Sequence, residues 1–518
     1  MCFETYGKVA PLSIEILAGE PTLAGIVMLP DKTHRRFCVA LLASLIGCSI
    51  SSSFASDGNA LPDIRAVIAG TSRGTQSPFE QRILEAAREV YANKNFSPLW
   101  SHDNAATPQA LALISILRNA DRYGLRPQDY LQGISAEALT YAQPSRPSLP
   151  SGAEFDVTLS VTALRFLTHL HSGRVDPRAA GFDLAIARTP LDERALLERL
   201  ATASSVEEIV ASVEPPFYHY QLLRQALTHY KLLEAAAAAS NSARPSVLTM
   251  AHRVRQIELT LERWRWLPEF TTPPIIVNIP QFRLFAFKST ADRKSEILQM
   301  DVIVGRTYRE LQTPVFTADL KYIIFRPYWD VPYSITKREL LPAIRKNPDY
   351  LRREHLQIVN GASDFAPFVP ATPENLSRLE AGALRLRQEP GPDNALGLIK
   401  FMLPNAHNVY LHATPTPQLF KQSRRTFSHG CIRVSEPVAL ASYVLRNSTG
   451  IWTTQMIADA MNGPTTRRVD LVTSIPVLIL YGTALATEDG ATLFFDDIYG
   501  HDAKLEKLLH LAPVAKGN

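Results

Sequence analysis

The chain has few cysteines, only four in 518 residues, and three of them, Cys2, Cys38 and Cys48, come before residue 60. Cys431 is the single thiol in everything that follows. One thiol cannot pair within its own chain, so a disulfide framework is excluded for the body of the protein. Metal signatures are missing as well. There is no His-Glu-x-x-His, no paired Cys-x-x-Cys and no calcium loop, so no metal site is expected. Neither Gly-x-x-x-x-Gly-Lys nor Gly-x-Gly-x-x-Gly occurs, and no nucleotide cofactor is expected. A net charge of +4 is small for this length. The aromatics of the second half are not interleaved with a basic stripe, which argues against nucleic acid as a partner. What remains is an ordinary globular composition, 46% hydrophobic and 20% charged, long enough for two or three domains.

Residues 31–60 read DKTHRRFCVALLASLIGCSISSSFASDGNA. Lys32, His34, Arg35 and Arg36 precede an apolar stretch from Phe37 to Ile50, and small residues lead to Ala55. That is the three-part pattern of a secretory signal over 28–55, and the expected location is periplasmic. The apolar part is short for a permanent bilayer anchor. Met28 stands directly before the pattern, which makes residues 1–27 a candidate misassigned start. Leu45-Ile46-Gly47-Cys48 offers a second route, a lipoprotein anchor through Cys48.

From 62 to 240 the apolar residues recur at helical spacing, as in EQRILEAAREVYAN (80–93), PQALALISILRNADRYG (108–124) and 153–172. His169 and His171 fall near a helix end and are read as surface or capping residues. EAAAAASNSARPS (234–246) is low-complexity and marks a boundary, with 241–250 as linker. Val254, Ile257, Leu261 and Trp264 then share one helix face, and the Trp264/Trp266 pair is read as packing. Beyond 270 the period changes to that of strands, at 273–287, 297–305, 321–332 and 400–415, and in a hairpin over 474–500 that turns at Glu488-Asp489-Gly490. Asp496 and Asp497 are adjacent, so on a strand they point to opposite faces and do not form an acid–base pair. The fold class expected is α+β: an N-terminal all-α domain, then a mainly antiparallel β domain over 251–502, with a tail at 503–518. A charged, helix-prone insertion at 335–398 interrupts the strands, and such insertions often serve as lids.

Cys431 stands in RTFSHGCIRVSEP. A thiol needs a base or a positive neighbour to become a nucleophile at neutral pH. His429 is two residues away, and His412 lies in VYLHATP, which reads as a strand able to lie beside the segment carrying Cys431. His412 is the better base, and proton transfer would leave a thiolate–imidazolium pair. Gly430 permits a backbone turn that lets the N–H groups of 429–431 converge on a developing oxyanion. Arg433 is placed to hold a carboxylate.

These residues resemble a known family. His412, a gap of residues 413–427, and then Ser428-His429-Gly430-Cys431-Ile432-Arg433-Val434 is similar to the signature of the L,D-transpeptidases, whose catalytic unit is the YkuD-type β domain. IELTLERWRWLP, RPYWDVPYSI, PGPDNALGLIKFMLPN and FFDDIYGHD resemble the large, lid-bearing branch of Gram-negative envelopes. FSPLW, YGLRPQDY and HSGRVDP resemble that branch's scaffold domain more weakly. Many members carry a small peptidoglycan-binding module before the ERWRWLP helix, and here the alanine-rich connector stands in its place. The resemblance implies Cys431 as nucleophile and His412 as general base and then acid. It implies Ser428, His429 and Gly430 in the motif loop, with Tyr410, Trp329 and Arg433 around the substrate. The reaction implied is a 3→3 cross-link between diaminopimelate residues of peptidoglycan stem peptides, through a thioester, with carbapenems as inhibitors. Three alternatives are weighed: L,D-carboxypeptidase trimming, or attachment or release of an envelope protein, by the same site; another cysteine acyl-transfer fold, against which the order of His412 before Cys431 and the His-Gly-Cys run argue; and a non-catalytic envelope scaffold.

Overall fold

The computed structural model describes residues 63–71, 77–102, 105–132, 134, 152–184, 189–239, 244–287, 298–363 and 366–511. The expected signal over 28–55, the upstream residues 1–27 and the route through Cys48 lie outside the described residues.

The first half forms helices α1 (Ile64–Thr71), α2 (Pro78–Asn93), α3 (Pro108–Arg118), α4 (Gly152–Ser172), α5 (Glu193–Ala201) and α6 (Val206–Val213). Two of them start where their sequences dictate. Ser77 caps α2 by accepting the Glu80 N–H at 3.2 Å, and Thr107 caps α3 by accepting that of Ala110, each with proline next in the chain. The helix expected to run to Gly124 stops at Arg118, and a 3₁₀ turn carries the chain to the glycine. The core of this bundle includes Ile83, Val90, Leu113, Leu117, Phe166 and Leu167. His169 and His171 are corrections to the sequence reading, because they are not surface residues. His171 is buried, with its two ring nitrogens at 3.1 Å from the carbonyls of Val213 and Thr189. His169 meets the Tyr130 hydroxyl at 3.0 Å. Apolar neighbours exclude water there, and each ring finds a protein partner instead.

Two long helices follow, α7 (Tyr218–Ala239) and α8 (Arg244–Arg265). The buried face of α8 is the expected one, with Val254, Ile257, Leu261 and Trp264. Its end carries charge into the interior. Arg263 pairs with Asp502 at 2.6 Å, and Arg265 pairs with Glu262 at 2.9 Å and donates to the Tyr123 carbonyl. Glu262 in turn accepts the N–H groups of Arg174 and Val175. Gly173 has φ +84°, and a Cβ there would lie 2.5 Å from the Trp266 indole nitrogen, so the close approach needs glycine. Tyr220, Leu223 and Leu227 of α7 belong to the hydrophobic core of the β domain that follows, not to that of the helical bundle.

That β domain is a nine-stranded sheet: β1 (Ile275–Asn278), β2 (Arg283–Ala286), β3 (Leu298–Gly305), β4 (Phe316–Phe325), β5 (Ile399–Met402), β6 (Leu411–His412), β7 (Thr426–Ser428), β8 (Ile432–Val434) and β9 (Arg467–Leu480). Its order is β7-β3-β8-β6-β5-β4-β9-β1-β2, and β2 also pairs with β3, so the sheet closes on itself. Pairing is mostly antiparallel, as expected; β6–β8, β7–β3 and β9–β1 are parallel. The hairpin expected over 474–500 divides. Its first arm ends in β9 at Leu480, and a separate two-stranded ribbon (Ala484–Ala486 with Thr492–Phe494) makes the turn at Glu488–Gly490. A helix at His501–Leu508 sends Leu505 and Leu509 into the core, past the expected end at 502. Asp497 accepts the Tyr481 hydroxyl at 2.7 Å and the Asp502 N–H at 3.0 Å, a structural use.

The insertion is not simply helical, which corrects the sequence reading. It holds a four-stranded sheet in the order Trp329–Asp330, Arg385–Gln388, Leu356–Val359, Phe368–Val369, and begins at 329 rather than 335. Its own core includes Ile335, Leu341, Ile344, Ile358, Leu379 and Leu386. The strands are short and flanked by charge, and this hid their period.

Candidate active site

Strands β6 and β8 run side by side with Leu411 opposite Ile432 and His412 opposite Arg433. Side chains alternate along a strand, so Leu411 and Ile432 turn inward and are fully buried. The other face then takes Tyr410 and His412 from one strand, and Cys431 and Arg433 from the next. Lys400 joins them from β5, because it is paired with His412. The register alone therefore gathers a thiol, an imidazole, a phenol and two cations on one patch of sheet.

Tyr410 bears on the thiol: its backbone N–H and its phenol each favour the thiolate of Cys431, and the Trp329 indole favours the ionised form of Tyr410. The Lys400 ammonium lies 3.8 Å from the centre of the Tyr410 ring. The thiol itself donates to the Asn408 carbonyl at 3.7 Å, from a residue held in the left-handed region at φ +53°. The His412 and Tyr410 rings meet edge to face at 5.8 Å. Among the described residues no direct hydrogen bond joins His412 to Cys431. The Nδ1–H of His412 donates to the Ala413 carbonyl at 2.6 Å, which in a neutral ring leaves Nε2 as the acceptor.

The electrostatics bear on the state from which proton transfer starts. Burial pushes the Cys431 thiol above its ordinary range, against the donors of Tyr410 and the charges of Lys400 and Arg433. Burial, aided by Arg433 and Lys400, lowers the His412 imidazole to about 3, against the opposing pull of the Ala413 and Leu396 backbone. A desolvated face disfavours each charge, so burial favours the neutral thiol and imidazole at rest over a thiolate–imidazolium pair. Burial and the adjacent thiol likewise hold the Tyr410 phenol well above its usual range.

The motif loop is pinned from several sides. The Ser428 hydroxyl donates to the Cys431 carbonyl at 2.5 Å and accepts the Gly430 N–H at 3.1 Å. The Gly430 carbonyl accepts from Thr313 at 2.8 Å, and φ at Gly430 is +113°. The glycine is needed, as expected, but its N–H is already taken by Ser428. The Gly430 N–H is therefore not free to join those of 429 and 431 at an oxyanion, which corrects that part of the sequence reading. The His429 ring meets the insertion, where its Nε2 lies 2.8 Å from Glu339. Arg433 donates to Thr416 at 3.4 Å, and its buried Nε has no partner among the described residues. Sequence reasoning missed Lys400, Asn408, Thr313 and Glu339. Strand register reveals Lys400; the other three come close only through loops and the insertion, and no local pattern announces them.

Two family models match the chain. One, for the L,D-transpeptidase catalytic domain, covers residues 273–464; the other, for a scaffold domain, covers 85–227. A protein of Haemophilus influenzae (strain ATCC 51907 / DSM 11121 / KW20 / Rd) named "Putative L,D-transpeptidase" is 26% identical over 421 residues, which is 80% of this chain and 78% of that one. The patch on β6 and β8 thus lies within an L,D-transpeptidase catalytic domain, and this chain carries that domain behind a scaffold domain.

Proposed function

We propose that the protein forms 3→3 cross-links in peptidoglycan by acyl transfer through Cys431. The observation that carries the reading is the shared sheet face of Cys431, His412, Tyr410, Lys400 and Arg433, roofed by an insertion that contacts the motif loop. The donor is a tetrapeptide stem. The sulfur attacks the carbonyl of its third residue, a diaminopimelate, so that a C–S bond forms and the C–N bond to the terminal D-alanine breaks. The thiol proton passes to Nε2 of His412 and leaves on the D-alanine amine. A side-chain amine of a second stem then attacks the thioester, loses its proton to the imidazole and restores the thiol. One peptide bond is broken and one is made, so no nucleotide is consumed.

The neutral resting state fits this sequence. A buried neutral thiol is protected from oxidation until a substrate arrives, and Tyr410, Lys400 and Arg433 are already in place when negative charge develops on sulfur. Water competes with the amine for the thioester, and excluding it is the work of the insertion. We place the reaction outside the cytoplasm, on the reading of 28–55 as an export signal.

Intact-protein mass spectrometry with a tetrapeptide stem or a carbapenem tests the chemistry. A Cys431 adduct that is absent from Cys431→Ala is expected, and an adduct that persists in that variant refutes the assignment. Muropeptide analysis separates the products, because only cross-linking makes 3→3 dimers while trimming yields tripeptides alone.

A further inference from the structure

Between the barrel and the insertion lies a cavity of about 490 Å³, within the ordinary range for small-ligand sites, about 300–1,000 Å³. Its opening into the site is marked by Trp329 and Arg433, the first bonded to Tyr410 and the second beside Cys431. The charges in its wall are sorted by sign. On the barrel side are Arg433 and Arg306, and on the insertion side are Asp393 and Glu354.

Each pole is built rather than accidental. Arg306 follows β3, and its backbone N–H is anchored on the Ser428 carbonyl at 2.9 Å, so it is fixed to the motif strand. Its charge bears on Arg433, and two guanidinium groups facing one space favour an anion between them. Arg433 presents a buried Nε without a partner, and neither arginine has an ion pair among the described residues. On the opposite wall the buried Gln388 amide donates to the carbonyls of both Glu354 and Asp393, at 3.1 and 3.3 Å, and so ties the two acidic segments together. Glu354 already shares Arg353 at 3.1 Å, which leaves Asp393 as the freer carboxylate.

We propose that this cavity is a subsite for an α-ammonium carboxylate head, with Arg306 and Arg433 taking its carboxylate and Asp393, backed by Glu354, its ammonium. The inference rests on the acyl-transfer reading for the identity of that head. In a donor stem whose third residue is diaminopimelate, the L-centre carbonyl is attacked and the free D-centre, one short methylene chain away, carries this pair of charges. The subsite selects the donor by the far end of the residue it cleaves. A lysine in the same position offers the ammonium but not the carboxylate.

Two experiments test this and separate it from the reading beneath it. Calorimetry on the Cys431→Ala chain uses free meso-diaminopimelate, with pimelate and 1,5-diaminopentane as controls. Binding of the first alone is expected, weakened about tenfold or more by Arg306→Gln or Asp393→Asn, in line with the loss of a charge-assisted bond. No binding of diaminopimelate, equal binding of pimelate, or indifference to both substitutions overturns the subsite. Melting temperatures close to that of the parent chain, with unchanged alkylation of Cys431 by iodoacetamide in the Arg306→Gln single variant, exclude misfolding as the cause. The second experiment compares acylation of the wild type by diaminopimelate and lysine stems. A preference of about tenfold or more for the first is expected, and it collapses in Arg306→Gln. Equal acylation by both stems overturns the subsite and keeps the acyl-transfer reading. Binding of free diaminopimelate with no adduct from any stem does the reverse.

Discussion

Removing one oxygen atom tests the electrostatic account of the site most directly. In Tyr410→Phe the thiolate loses the phenol that favours it. A hydrogen bond to a charged group is worth about 1.5–3 kcal/mol, and each pKa unit is about 1.4 kcal/mol, so the thiolate should become harder to form by about 1–2 units. The sign is upward, adding to the rise that burial already causes. A more basic thiolate is also more nucleophilic, with a Brønsted slope of about 0.4–0.5, so roughly half the loss is returned; the net fall in rate at pH 8 is about 3–10-fold. The assay is alkylation by iodoacetamide followed by intact mass across a pH series, because a small neutral reagent reports the thiolate without needing the substrate subsite. The wild type should itself show a single alkaline rise with its midpoint above the ordinary thiol range. A plateau of reactivity reaching down to pH 5, the mark of a thiolate–imidazolium pair, would refute the neutral resting state. A midpoint in Tyr410→Phe that is unchanged or lower would refute the role given to the phenol.

Further perturbations reach other parts of the argument. Gly430→Ala forces a side chain into φ +113°, and the strain of about 1–3 kcal/mol should appear as a lower melting temperature with slower Cys431 alkylation. Glu339→Gln removes the charged partner of His429, and the ratio of hydrolysed to cross-linked product should rise; an unchanged ratio would deny the insertion a sealing role. His412, with its pKa depressed to about 3, must take up a proton on unfolding below about pH 6.5, as must His169, also at about 3. The stability each contributes is whole above pH 6.5 and is lost as pH falls toward 3, at no more than about 1.4 kcal/mol per pH unit apiece. The urea midpoint should fall over that window, less steeply in His412→Gln. Arg263→Ala leaves Asp502 buried and unpaired at a cost of about 3–5 kcal/mol, measurable in the same titration.

The elements that the sequence made legible are those whose signals are local. Ser77 before Pro78 and Thr107 before Pro108 announce helix starts, and the alternation in 297–305 announces a strand. Cys431 stood out by its isolation, and His412 by lying on a strand that could reach it. The lid's strands were hidden because Leu356–Val359 and Arg385–Gln388 are four residues each, too short for a period to show against charged flanks. Arg306 and Asp393 were invisible for another reason. One follows a barrel strand and the other sits in a turn of the insertion, and only the closed sheet and its roof bring them to one cavity. His429, close to Cys431 in sequence but set behind His412 as a base, has its ring on Glu339, a partner from the insertion that no local pattern announces.

The buried charges at the end of α8 bear on how the chain can be divided. Arg265 reaches Tyr123 on one side, Glu262 reaches Arg174 and Val175, and Arg263 reaches Asp502 near the other end of the sequence. Cutting the gene at the alanine-rich connector, however natural that point looks, would keep the Arg265–Glu262 and Arg263–Asp502 pairs but remove the Tyr123 carbonyl and the Arg174 and Val175 N–H groups that complete the bonding of Arg265 and Glu262. Truncated versions prepared for inhibitor screening should therefore retain the helical domain, because α7 also sends Tyr220, Leu223 and Leu227 into the core of the barrel.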